Sequence, residues 1–342
     1  MASNTPKRLY LLTHPRTASN LLTRILALDD QTDVLSSGRQ EGNFFFDVMA
    51  LRWFKPGLPS RHINTWTQEE RQKLRHAYQS CFEAVENHAG RAESLGKSVF
   101  VKEHVPWLCE PVTETRFIFG NDSVNEPVWM VETNLGRTRT ESNETVLPDE
   151  FLQIWCPTFL IRHPALVFPS LYRTAIGIQG TEAARNDEGV HKLEMTVRCS
   201  RRLYDWYLKR LSSDNEGANE VWSINLDADD VMTEPKVILR YAEIIGFDPT
   251  KLRFSWGEAS KEDLNQMGKA ETRMRSTLIA STGIVEGKTA ANLNLDEEAR
   301  KWRIEFGEDM GGKVEGWVRE AMPDCECIKE RRLKPVLPII NK

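Results

Sequence analysis

Four short apolar runs, at 8–13, 98–102, 158–161 and 221–226, stop at polar or proline residues and alternate with stretches of helical spacing at 17–28, 166–176, 192–211 and 237–245. That alternation constrains the chain more than any other feature. Runs this short, rich in β-branched and aromatic residues, suit strands buried on both faces, and strands joined through helices pair in parallel. The pattern therefore predicts an α/β fold with a mostly parallel central sheet and helices on both faces. Thr67-Gln68-Glu69-Glu70 reads as a capping box opening a long surface helix to about Asn87, with Leu74, Tyr78, Cys81, Phe82 and Val85 on its buried face. Residues 113–148 show no sustained period and are expected to form a long loop or lid near the site. The tail from about 322, with Pro323, Pro335 and Pro338 and a basic run at 329–334, is expected to be irregular.

At 342 residues, 40% of them hydrophobic, the chain can bury one large core. Its net charge of −5 comes from interleaved acids and bases, with no block suited to a polyanion, so no nucleic-acid partner is expected. Between Met1 and Leu12 the only apolar run is four residues long, too short for a leader or a membrane span, and a cytoplasmic protein without a membrane partner is expected. Six scattered cysteines, of which only Cys325 and Cys327 are close together, lack metal-site spacing and read as buried or idle thiols.

Three segments fall where strands are predicted to end, the edge of an open α/β sheet at which ligands bind. His14-Pro15-Arg16-Thr17-Ala18-Ser19-Asn20 joins a strand to a helix. Free first-turn N–H groups and the positive end of the helix dipole can hold phosphate there, although a plain capped turn has the same pattern. In Lys102-Glu103-His104-Val105-Pro106, Lys102 and His104 share one strand face and would offer a cation beside an imidazole; singly, they also suit a solvated lysine and a structural histidine. Arg162-His163-Pro164 is followed eight residues after Arg162 by Ser170, a guanidinium and a hydroxyl suited to phosphate. No Gly-x4-Gly-Lys-Ser/Thr loop is present; the near-match Gly283 to Thr289 is one residue short and follows no strand.

These segments resemble the sulfotransferases that use 3′-phosphoadenosine 5′-phosphosulfate (PAPS). Residues 15–20 are similar to the family's 5′-phosphosulfate loop, Pro-Lys/Arg-Ser-Gly-Thr/Ser-Thr, and Lys102 to Pro106 to its Lys-x-His-Leu-Pro segment, whose histidine is the general base. Arg162-His163-Pro164 with Ser170 resembles its 3′-phosphate motif. The stretch from Ile224-Asn225-Leu226-Asp227 through Pro235 to Gly246-Phe247 is similar to its Tyr-Glu-Asp-Leu strand and following helix. The chain departs from the pattern at Ala18, where the family has Gly, and at Asn20, which replaces a hydroxyl residue; an Ala is strained if the position needs positive φ. Ser281-Thr282-Gly283 to Lys288 is a candidate for the family's C-terminal Arg-Lys-Gly segment, and Gly312 to Trp317 is faintly similar to its closing Gly-Asp-Trp.

The resemblance implies one P-loop-type three-layer domain over 1–342 with about five strands. It implies PAPS as co-substrate without a metal, bound by Pro15, Arg16, Thr17, Ala18, Ser19, Asn20, Arg162 and Ser170. His104 is implied as base, with Lys102 and Arg16 stabilising charge. Phe45, Phe46, Trp53 and Trp107, with Phe44 and Trp129, are candidates for an apolar pocket taking a hydrophobic, hydroxylated small molecule, though each also suits core packing. The protein is expected to act as a monomer or homodimer. The alternatives are a kinase or another nucleotide-dependent transferase on the same scaffold, or a non-catalytic relative that only binds nucleotide or a partner.

Overall fold

The computed structural model describes residues 6–37, 42–53, 57–213, 222–260 and 267–335. Five strands, β1 (Arg8–Thr13), β2 (Val34–Leu35), β3 (Ser98–His104), β4 (Cys156–Ile161) and β5 (Ile224–Asp227), form one sheet in the order β2-β3-β1-β4-β5. Every neighbouring pair is parallel, so the fold is α/β as the alternation predicts. The register sets Thr13 of β1 opposite His104 of β3 and Leu160 of β4, which brings the carboxyl ends of three strands to one edge.

Alternation of side chains along each strand feeds two cores. Tyr10, Leu12, Val101 and Phe159 enter one core with the helices α3 (Gln68–Ser94) and α6 (Arg198–Ser213). Leu9, Leu11, Leu160 and Leu226 enter the other, with α1 (Ser19–Leu26) and α7 (Pro235–Ile245). Between these helices in sequence lie α2 (Phe46–Trp53), α4 (Val105–Leu108) and α5 (Pro164–Gln179). A third core joins α5 to α8 (Leu295–Phe306) and α9 (Glu308–Glu330) through Phe168, Tyr172, Trp302, Phe306 and Val314. The capping box at Thr67 forms, with Thr67 accepting from the Glu70 N–H and Glu70 from that of Thr67.

Three sequence expectations are corrected. The tail is not irregular from 322: α9 runs through Pro323 to Glu330, with Cys325 and Ile328 buried. Tertiary contacts outweigh the proline. Asn225 Nδ2 donates to the Ile328 carbonyl, the Leu333 N–H donates to that of Asn225, and Lys329 pairs with Asp227 at 2.7 Å. Residues 113–148 begin within a helix, Pro111–Phe119, and continue irregularly, but Val124, Trp129, Val131 and Leu147 are buried in the first core, so burial rather than periodicity fixes the segment. The last apolar run, from 221, corresponds to β5, which starts only at Ile224; Val221 lies outside the described residues. Pro338 lies outside the described residues. Among the described residues no helix is long and apolar enough to cross a membrane.

Candidate functional site

A cavity of about 470 Å³ opens where β1, β3 and β4 end, and it gathers Arg16, Ser19, Asn20, His104, Arg162 and Ser170. The loop after β1 makes its entry into α1 with Arg16 at φ 69° and Ala18 at φ 64°. Two non-glycine residues in the left-handed region cost on the order of 1–2 kcal/mol each, a strain that persists only where surroundings fix it. Ala18 is the N-cap of α1 and supplies no side-chain cap; the Leu21 N–H donates to the Ala18 carbonyl at 3.0 Å, which leaves those of Ser19 and Asn20 to an outside acceptor. Thr17 is buried, its hydroxyl donating to the His14 carbonyl at 2.7 Å, and it holds the loop rather than lining the cavity.

Arg16 Nε donates to Ser170 Oγ at 2.9 Å and Nη1 to the Met274 carbonyl at 2.8 Å. Arg162 reaches the Arg16 carbonyl at 3.2 Å and that of Lys288 at 2.6 Å. Neither guanidinium has an ion pair among the described residues. Burial, then the charge of Arg162 and of Arg273, lowers the Arg16 pKa, and burial lowers that of Arg162. Such a pair of guanidiniums, held by carbonyls and a hydroxyl, is a site for an anion with several oxygens. Lys288, Gly283 and Gly287 line the same cavity, so the 281–288 segment comes to the Arg162 end of it; Trp317, in α9, does not.

On β3, Lys102 is 1% exposed and its Nζ donates to Asn20 Oδ1 at 2.6 Å. His104 Nδ1 lies 2.6 Å from Thr13 Oγ1, whose hydroxyl is 3.1 Å from the Glu103 carbonyl. A hydroxyl donating to that carbonyl accepts from Nδ1–H, which leaves His104 Nε2 as the basic nitrogen. Burial, then the nearby charge of Lys102, holds the His104 pKa well below the usual histidine value. The imidazole is neutral at pH 7, as a proton acceptor must be.

Trp107 lines the cavity and meets His104 edge-on at 4.4 Å between ring centroids, and Phe46 packs on Trp107 at 6.0 Å. The other aromatic candidates go elsewhere. Phe45 is in the core against Tyr78, Phe44 packs on His88, and Trp129 packs on Trp66 under Arg75. Trp53 ends α2, and its side chain lies outside the described residues. No residue of 113–148 lines the cavity. Met49, Leu171, Ile178 and Val190 supply the apolar lining instead, and Asp187, His191 and Glu194 also line the cavity. Single residues from several elements give no motif, and sequence reasoning missed them.

No family model matches the chain. It is 44% identical to the sulfotransferase ppzF of Metarhizium rileyi over 331 residues, which covers 96% of this chain and 97% of the relative. It is also 44% identical to the sulfotransferase ppzF of Metarhizium majus over 342 residues, covering 98% and 99%. Among solved structures, the sulfotransferase domain of the Synechococcus PCC 7002 olefin synthase matches at a TM-score of 0.38 and 13% identity, over 91% of this chain and 96% of that one.

Proposed function

The chain belongs to the sulfotransferase family, and on that premise we propose that it moves a sulfuryl group from PAPS to a hydroxyl of a largely apolar small molecule, leaving 3′-phosphoadenosine 5′-phosphate (PAP). The observation that carries this reading is the convergence of Arg16, Ser170, Arg162 and His104 on one cavity at the ends of three parallel strands. Arg162 and Ser170 hold a 3′-phosphate. Arg16 and the uncapped N–H groups of α1 hold the 5′-phosphosulfate, and Lys102 adds positive charge beside Asn20.

His104 Nε2 takes the acceptor's hydroxyl proton as the new oxygen–sulfur bond forms. The bond from sulfur to the 5′-phosphate breaks, and the leaving charge falls on PAP, where Arg16 and Lys102 stabilise it. This chemistry is mainly positioning and electrostatics. Replacing His104 with Ala is expected to lower kcat by about 10²- to 10⁴-fold while PAP binding, read by calorimetry, is retained. Full turnover by His104→Ala with PAP still bound removes His104 from the role of base.

A further inference from the structure

We propose that the acceptor carries a protonated amine as well as its hydroxyl, and that Glu194, flanked by Asp187 and His191, is the group that selects it. The inference rests on the transferase reading above and concerns the acceptor end of the same cavity. Glu194 is the last residue of the helix Glu188–Glu194. A carboxylate there faces the negative end of the helix dipole, the position that favours a cation. It is partly buried in the cavity wall near Asp187, and no hydrogen bond or ion pair to its carboxylate exists among the described residues. Burial and the charge of Asp187 push its pKa up to about 8. Burial, helix polarity and a like charge all oppose ionisation here, and a site that keeps such a group in a cleft is built for a partner.

Of the cations that line the cavity, Arg16, Arg162 and Lys288, whose carbonyl accepts from Arg162, gather at the donor end, Arg173 pairs with Glu305, and Arg275 pairs with Glu271. The imidazoles near Glu194 are neutral: burial lowers His191, His104 and, to about 4, His14, whose ring lies beside the Glu194 main chain. His191 is 1% exposed and lines the cavity. Its Nε2 donates to the Ala184 carbonyl, which leaves Nδ1 an acceptor with no partner among the described residues. Asp187 accepts from the Ser60 hydroxyl through Oδ1 and keeps its second oxygen. The wall therefore offers acceptors beside the apolar surface of Leu171 and Val190, and an ammonium supplies the matching donors and charge.

The test uses matched hydroxyl compounds on the PAP-loaded protein, tyramine against 4-propylphenol and 6-aminohexan-1-ol against heptan-1-ol, each pair differing by ammonium for methyl. Calorimetry is expected to show the aminated member binding about ten-fold tighter or more, with proton release at pH 7 as Glu194 ionises. In Glu194→Gln the ratio is expected to fall below about two-fold, while PAP still raises that variant's melting temperature. A wild-type ratio at or below one in both pairs, or a preference that survives Glu194→Gln, overturns the proposal. If PAP itself fails to bind, the donor reading fails separately, and the ratios on the unloaded protein still decide the amine.

Discussion

His104 shows how one side chain's chemistry is set by its neighbours. Thr13 fixes which nitrogen carries the proton, and burial and then the charge of Lys102 oppose a second one. Because the folded pKa is lowered, the basic form persists as the pH falls through the ordinary histidine value of about 6.5. With a neutral acceptor, the acid limb of kcat/KM is therefore expected below pH 6.5, as a rate–pH profile will read; a limb at or above 6.5 contradicts the assigned environment. Arg16, His104, Arg162 and Ser170 were legible because each sits at a fixed offset from a strand end. The strain anticipated for an alanine at position 18 is present, at φ 64°. Glu194 was not legible: a lone acid in a charged segment has no spacing to mark it, and only the fold places it in the cavity wall.

At the scale of elements, four of the five strands could be read from apolar runs. Strand β2 could not, since Val34 and Leu35 are two residues whose strand character comes from pairing with Ser98 and Val99. The tail was misread because Pro323 and the basic run suggested a break, whereas α9 is held from outside by Asn225 and Asp227 of β5. Ile328 is 0% exposed in the first core. Replacing it with Ala is expected to cost about 2–5 kcal/mol in chemical denaturation. A loss below about 0.5 kcal/mol would mean that the end of α9 is not docked on the sheet.

At the scale of the whole molecule, the parallel sheet and its two cores bring three strand ends, the first turn of α1 and the 281–288 segment around one cavity. Arg16, Arg162, Ser170 and the His104 imidazole line it, together with Asp187, His191, Glu194 and the apolar Leu171 and Val190. The central claim is that Arg162 and Ser170 make this a site for a 3′-phosphorylated donor. Its most direct test is the melting temperature of the protein with PAP, PAPS, ADP or ATP at equal concentration, with and without Mg²⁺, because a ligand that binds only the folded state stabilises it by mass action. Metal-independent stabilisation by PAP and PAPS is expected, amounting to about 2.7 kcal/mol at a hundred times the Kd, with little from ADP. Preference for ATP with Mg²⁺ would instead indicate a kinase, and no shift with any nucleotide would contradict the donor site altogether.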